Sequence, residues 1–155
     1  MAAKKVISEG KKVRDFSLKD QNGRIFHLAD LKGKKVLLSF HPLAWTPVCS
    51  KQMQSLEKNK KTFDKLNTIA VGISVDSVPC KNAWAKSLKI SQTSLLADFW
   101  PHGGIAKMLD IFREEGFSER ANIIVNEQGI IELKKIYPIG QLPDIQEIIN
   151  YLKLL

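Results

Sequence analysis

A proline, a threonine and a cysteine in residues 42–49 have types and spacing that could support thiol chemistry. Pro42, Thr46 and Cys49 lie in the segment FHPLAWTPVC, between an apolar run and an amphipathic stretch. If Thr46 is an N-cap and Pro47 the first helical residue, Cys49 falls in the first turn of a helix. A thiolate there would be stabilised by unpaired backbone N–H groups and by the positive end of the helix dipole.

The side chains around Cys49 suggest specific roles. We expect the Thr46 side chain to accept a hydrogen bond from the backbone N–H three residues on, and its hydroxyl to donate to a thiolate or a substrate oxygen. Pro42 is rigid and has no N–H, so it would exclude water from the sulfur. The competing interpretation is a buried structural thiol, since free cysteine is among the most buried residue types. Position alone leaves the two interpretations equally open.

The flanking elements predict an α/β fold. Residues 36–40 are almost all apolar, as expected of a strand covered on both faces. A helix is predicted from residue 47 to about residue 66, because apolar residues recur there at helical spacing. Strand–helix–strand then recurs through residues 68–97, which implies parallel strands with right-handed crossovers.

Two hairpins and a final helix complete this pattern. Asn22 and Gly23 predict an N-terminal hairpin, and residues 127–129 predict a second one. Short helices are expected at residues 29–32 and 105–112, and a last helix at residues 143–155. The prediction is a mixed central sheet flanked by helices, in a single domain of residues 1–155 whose residues 1–12 form a loose arm.

The composition narrows the function classes. Hydrophobic residues make up 44% and charged residues 26%, which is typical of a globular protein. The formal net charge of +8 is interpreted as a lysine-rich solvated surface, with an anionic partner as the alternative. The densest basic run, residues 58–61, has no interleaved aromatic residues, so we expect no nucleic-acid partner. No run is long enough to span a membrane and no secretory signal is recognised, so we expect a cytoplasmic protein without a membrane partner.

Four stretches resemble the peroxiredoxin family, in the family's order. They are Pro42-x-x-x-Thr46-x-x-Cys49, VGISVDS at residues 71–77, DFWPHG at residues 98–103 and RANIIV at residues 120–125. The first is similar to the family's active-site motif and the last to the strand that its active-site arginine opens. The resemblance covers the chain from about residue 13 to the last helix, and it is nearest to the one-cysteine or atypical two-cysteine bacterial groups.

The resemblance implies a thioredoxin-like fold and the reduction of hydrogen peroxide or organic hydroperoxides, with no metal or organic cofactor. Cys49 would be the peroxidatic cysteine, whose thiolate attacks the terminal peroxide oxygen and becomes a sulfenic acid. Thr46 would bond the peroxide, Pro42 would shield the sulfur, and Arg120 would stabilise the thiolate and the charge on the leaving oxygen. The partners implied are a peroxide and a thioredoxin-like or other thiol reductant.

Arg120 and Cys80 each have an alternative interpretation. Without the resemblance, Arg120 would be interpreted as forming a surface salt bridge with Glu119 or Glu114. Cys80 follows the second parallel strand as Cys49 follows the first, so both should lie at one edge of the sheet. Cys80 is therefore a candidate resolving cysteine that forms an internal disulfide with Cys49. The alternative is a structural thiol in an enzyme that an external thiol reduces.

Three further residues bear on the site and the assembly. His41 stands where the family commonly has an aromatic residue, and we interpret it as an isosteric ring, with tuning of the pocket near neutral pH as the alternative. His102 would bond the backbone of its own loop or line the pocket. An exposed Trp45 would suit the interface of a homodimer. The C-terminal cysteine tail of the typical two-cysteine group is not recognised, which argues against that group's intersubunit disulfide.

Other functions stay open at this point. A thioredoxin-type thiol–disulfide oxidoreductase usually has a second cysteine three residues from the first, but Gln52 occupies that position after Cys49. A basic binding or chaperone module would contain an inert Cys49. A cysteine–histidine hydrolase is the weakest alternative, since the sequence specifies no Cys/His pairing.

Overall fold

The computed structural model describes residues 9–155, which form one seven-stranded sheet covered by helices. The strands are β1 (Ser17–Lys19), β2 (Ile25–His27), β3 (Lys35–Phe40), β4 (Thr68–Ser74), β5 (Ser94–Ala97), β6 (Arg120–Val125) and β7 (Ile131–Tyr137). The helices are α1 (Pro47–Lys58), α2 (Lys60–Lys65), α3 (Val78–Leu88), α4 (Gly104–Met108) and α5 (Ile145–Lys153), and a 3-10 turn spans Leu28–Leu31. None of the helices within residues 9–155 is long and apolar enough to cross a bilayer.

The sheet is mixed, as predicted, with the order β2-β1-β5-β4-β3-β6-β7. β3, β4 and β5 are parallel neighbours, whereas β6 is antiparallel to β3 and to β7. β1 and β2 form the predicted N-terminal hairpin. Gly23 and Gly129 have φ angles of 78° and 82°, the left-handed conformation that glycine adopts at least cost. The parallel order places the carboxyl ends of β3, β4 and β5 at one edge.

Each face of the sheet carries a hydrophobic core. Val36, Leu38 and Phe40 of β3 belong to one core and Leu37 to the other, because successive side chains of a strand alternate between faces. Residues of α1, α3 and α5 cover the second core, which contains Cys49. A side chain at position 72 of β4 would not fit beneath α1, since a Cβ on this glycine would lie 2.1 Å from the Met53 sulfur.

Three local predictions are corrected. The helix predicted to reach about residue 66 is divided into α1 and α2 at Asn59, because the backbone of this residue, with φ of −101° and ψ of 16°, leaves the helical conformation. α4 ends at Met108, four residues earlier than expected. Residues 10–12 are not loose, because the N–H of Gly10 donates to the Ile131 carbonyl at 2.8 Å and residue 12 bridges to residue 130. The rest of the predicted arm, residues 1–8, lies outside the described residues.

Candidate active site

The site lies at the carboxyl edge of the parallel strands. Cys49 is in the first turn of α1, directly after β3, and Cys80 is in the first turn of α3, directly after β4. Both cysteines belong to or pack against the same hydrophobic core. The prediction that the two thiols share one edge of the sheet is therefore consistent with the topology. Both are free thiols in the structure.

Cys49 is fully buried, and a guanidinium group contacts its sulfur. The Nη1 atom of Arg120 lies 3.3 Å from the Sγ atom of Cys49. Arg120 is itself only 4% exposed, although it is charged. It also donates from Nε to the Ile139 carbonyl at 2.8 Å and from Nη1 to the Oε1 atom of Gln52 at 2.9 Å. These last two partners are neutral.

Arg120 does not form the alternative surface salt bridge. Glu119 pairs with Arg113 instead, with 2.9 Å between Oε1 and Nη1. Among residues 9–155, no carboxylate lies within ion-pairing distance of Arg120. A buried cation is costly unless it is paired, and of the three groups that Arg120 contacts only the side chain of Cys49 is ionisable.

Gln52 holds this arginine in place and was not identified from the sequence. Its side chain is 2% exposed, and its Nε2 atom donates to the Ser39 hydroxyl at 2.8 Å and to the Phe40 carbonyl at 3.1 Å. Its Oε1 atom accepts from Arg120. The amide therefore links β3 to the arginine of β6. The sequence feature that could have identified Gln52 is its spacing, since it lies three residues after Cys49 on the same face of the helix.

Thr46 occupies the predicted N-cap position, but its side chain does not form the predicted capping bond. Its backbone is extended, with φ of −94°, and Pro47 follows as the first helical residue. The Thr46 hydroxyl donates to the Leu43 carbonyl at 2.8 Å and accepts no N–H of the first turn. The expected bond to the backbone N–H of Cys49 is therefore wrong. The hydroxyl hydrogen of Thr46 is used within the loop, so the lone pairs of the hydroxyl oxygen are free to accept a hydrogen bond.

The loop between β3 and α1 is held in one conformation by Asp76. The Oδ2 atom of Asp76 accepts from the backbone N–H of Ala44 at 2.8 Å and from the Ser74 hydroxyl at 2.7 Å. Trp45 has a φ of 71°, in the left-handed region that a large side chain rarely adopts. Pro42 is buried at the start of the loop. These contacts fix the backbone that places Thr46 and Cys49.

Cys80 is half-buried and is bonded as a neutral thiol. Its backbone N–H donates to the Ser77 hydroxyl at 3.3 Å, which is the N-cap bond at the start of α3. Its Sγ atom lies 3.8 Å from the Oδ1 atom of Asp76. Burial and the Asp76 charge raise the pKa of Cys80, and contacts with Trp45 and Lys81 oppose the shift. In this conformation Cys80 is therefore a poor nucleophile.

His41 is fully buried and bonds to a lysine. Its Nε2 atom lies 3.1 Å from the Nζ atom of Lys81, which is fully buried as well. The His41 ring packs on Trp84 with 5.0 Å between ring centroids. Burial, followed by the charges of Lys81 and Arg120, holds the pKa of His41 well below its usual value. The ring thus packs against an aromatic side chain, and it is also part of a polar pair with Lys81 that was not predicted from the sequence.

His102 and two of the three tryptophans lie outside this cluster or at its rim, whereas Trp84 packs on His41. The Nε2 atom of His102 contacts the Gly116 carbonyl, so it bonds a neighbouring loop rather than its own. Trp45 is 55% exposed and Trp100 is 81% exposed, whereas Trp84 is fully buried. Trp45 is therefore on the surface of the active-site loop, as a residue of an interface would be.

Comparison with known proteins identifies the family. The AhpC/TSA family model matches residues 10–134. The chain belongs to this family. Alkyl hydroperoxide reductase E of Mycobacterium tuberculosis is 33% identical over 141 residues, which cover 90% of this chain and 92% of that protein. Peroxiredoxin 2 of Sulfurisphaera tokodaii is 32% identical over 162 aligned positions, covering all of this chain and 76% of that protein. The crystal structure of Enterococcus faecalis AhpC superposes with a TM-score of 0.87 at 24% identity, over 95% of this chain and 91% of that one.

These relatives confirm the fold and the enzyme class. The chain is a peroxiredoxin of the bacterial Bcp/AhpE-like type with a thioredoxin-like fold, and its class of activity is thiol-dependent peroxidase. The thioredoxin-type oxidoreductase and the inert binding module are not favoured. A peroxide substrate and a thiol reductant follow from the family.

Proposed function

We propose that this peroxiredoxin reduces hydroperoxides at Cys49, with Arg120, Thr46 and Pro42 completing the site. The observation that carries the proposal is the 3.3 Å contact between Arg120 Nη1 and Cys49 Sγ. It supports a thiolate at Cys49, because the other partners of this buried guanidinium are neutral. The first-turn N–H groups of α1, which Thr46 does not cap, add to that stabilisation.

The proposed reaction is a displacement at oxygen. The Cys49 thiolate forms a bond to the terminal oxygen of the hydroperoxide, and the O–O bond breaks. The sulfur is oxidised to a sulfenic acid, and the peroxide is reduced to an alkoxide or hydroxide that takes a proton to become alcohol or water. Arg120 would stabilise the negative charge on the leaving oxygen, since its Nη1 already lies at the sulfur.

Thr46 and Pro42 would prepare the site for that displacement. The Thr46 hydroxyl gives its hydrogen to the Leu43 carbonyl, so its oxygen would accept the hydrogen of the peroxide and turn the terminal oxygen toward Cys49. The buried ring of Pro42 would keep water away from the thiolate.

Resolution of the sulfenic acid at Cys49 requires a second thiol. In the chemistry that we propose, this thiol attacks the sulfur, releases water and forms a disulfide, which an external dithiol such as a thioredoxin-like protein then reduces. Cys80 is our candidate because it lies at the same edge of the sheet. Cys80 lies in the first turn of α3 and contacts Asp76, so we expect this turn to unwind and release the thiol from Asp76 before it reacts with Cys49. We place this activity in the cytosol, where reducing thiols are supplied.

A homodimer formed around the site is also part of the proposal. Large apolar side chains are exposed on the segments that follow β3, β5 and β7, and these strands end at the same edge of the sheet. They are Leu43, Trp45, Phe99, Trp100, Ile139 and Leu142. A second copy of the chain would cover them.

The proposal is tested by comparing Cys49→Ser with Cys80→Ser, using stopped-flow tryptophan fluorescence to follow one turnover with hydrogen peroxide. We expect Cys49→Ser to show no oxidation phase and Cys80→Ser to retain it. Far-UV circular dichroism checks that both variants are folded. A normal oxidation phase in folded Cys49→Ser would show that the reacting thiol has been assigned wrongly.

A further inference from the structure

A fully buried lysine beside the site has no part in the reaction proposed above. Lys81 is 0% exposed and lies in the first turns of α3. Its Nζ atom is 3.1 Å from His41 Nε2 and 5.8 Å from the centre of the Trp84 ring. Burying an ammonium group is expensive, and an apolar side chain of similar length would fill the same volume at lower cost.

The charges that act on the His41–Lys81 pair come from every element around the site. They are Cys49 of α1, Asp76 after β4, Cys80 of α3, Asp98 after β5 and Arg120 of β6. With Cys49 as a thiolate, the anions Cys49, Asp76 and Asp98 stand against the cations Arg120 and Lys81. The lysine therefore takes part in the charge balance of the pocket in which the thiolate forms.

The contact with Lys81 also determines where His41 holds its proton. An ammonium group can only donate, so Nε2 of His41 must accept and the ring proton must be on Nδ1. The Nδ1 atom is buried and has no hydrogen-bond partner among residues 9–155. The His41 ring then carries a buried N–H donor that has no protein partner among these residues.

We infer that Lys81 is a positioning residue for the peroxidase reaction: it fixes His41 in the tautomer with the proton on Nδ1 and supplies the second cation that stabilises the Cys49 thiolate. This inference rests on the proposed role of Cys49. The role of Lys81 differs from that of Arg120. Arg120 contacts the Cys49 sulfur, whereas Lys81 acts through His41 and through its charge.

The charge on Lys81 depends on pH in the neutral range. Burial lowers the pKa of Lys81 to about 7, although electrostatic interactions with Asp76, Cys80, Cys49 and Asp98 oppose the shift. His41 stays neutral there, because its pKa is held well below its usual value. As the pH rises through about 7, Lys81 loses its proton and the second cation disappears.

The test uses Lys81→Met, which keeps the length of the stem, and Lys86→Met, which removes an exposed lysine from the same helix. The rate of alkylation of Cys49 by iodoacetamide and the rate of oxidation by peroxide are measured against pH. At about pH 6 we expect the rates of alkylation and oxidation of Cys49 to be roughly tenfold lower in Lys81→Met than in the wild type. This is the effect expected when one charge that acts through the protein interior is removed. Lys86→Met should match the wild type. The difference between the wild type and Lys81→Met should be largest at about pH 6 and should disappear as the pH rises through about 7, where Lys81 loses its proton.

A spectroscopic measurement on the wild type tests the tautomer without any change at Lys81. Two-bond ¹⁵N–¹H correlation spectra at about pH 6 should show the His41 proton on Nδ1, with the signals assigned by their absence in His41→Phe. A proton on Nε2 would overturn the inference, and so would a folded Lys81→Met whose rates match those of Lys86→Met. If Cys49→Ser is inactive at the same time, the proposed function stands and only the role of Lys81 fails.

Discussion

Replacing Arg120 with methionine tests how much the guanidinium contributes to the reactivity of Cys49. The change removes the hydrogen bond of 3.3 Å from Arg120 Nη1 to Cys49 Sγ. It also removes the only cation that contacts this sulfur among the described residues. A hydrogen bond to a charged group contributes about 1.5–3 kcal/mol. If that energy is lost from the thiolate and from the transition state, oxidation of Cys49 by peroxide should slow by roughly 10-fold to 150-fold.

The assay is stopped-flow oxidation at several peroxide concentrations, so that the second-order rate constant is obtained directly. Arg24→Met is the matched control, because Arg24 is exposed and pairs only with Asp20, far along the chain from the site. Thermal unfolding of each variant shows whether the fold is intact. A folded Arg120→Met that reacts as fast as Arg24→Met would refute the argument that the contact with the sulfur activates it.

Two other changes have outcomes that follow from single contacts. Thr46→Val removes the hydroxyl that donates to the Leu43 carbonyl at 2.8 Å, so we expect roughly fivefold to tenfold slower oxidation of Cys49, with Thr46→Ser close to wild type in the same stopped-flow assay. Glu57 accepts bonds from the backbone N–H groups of residues 91–93; burial would raise its pKa, but these bonds outweigh burial and lower it. The pKa of Glu57 is lower in the folded protein than in the unfolded chain. Its stabilising effect is therefore present at pH values above the unfolded-state pKa, and it is lost as the pH falls through the folded-state pKa. Glu57→Gln should therefore lower the free energy of unfolding by about 1 kcal/mol at pH 7, measured in urea, and the difference should shrink in acid; an equal loss at both pH values would contradict this assignment.

The periodic parts of the fold could be predicted from the sequence. The apolar run at residues 36–40 and the two glycine turns at residues 23 and 129 specify local structure, and each was placed correctly. The break at Asn59 was missed because the apolar spacing continues across it. α1 ends there because the backbone of a single residue has φ of −101° and ψ of 16°, which the spacing of apolar residues does not reveal.

The site was predicted in part, for a similar reason. Cys49 stood out because its position at a helix start has a chemical meaning, and the resemblance added Arg120, which the fold brings to within 3.3 Å. Gln52 and Lys81 were missed because each looks like an ordinary polar helix residue. Lys81 precedes Ala85 and Leu88 at helical spacing, so its place on the buried face was the signal that it would not be solvated.

The most direct test of the central claim is mass spectrometry of the wild type and Cys80→Ser after one equivalent of hydrogen peroxide, with dimedone present to trap sulfenic acid. We predict that Cys80→Ser carries the dimedone adduct on Cys49 and on no other residue. In the wild type we predict a Cys49–Cys80 linkage in place of the adduct; an adduct on Cys49 without the linkage would mean that an external thiol resolves the enzyme. An unmodified Cys49 in both proteins, with the peroxide consumed, would contradict the account that peroxide reduction occurs at this cysteine.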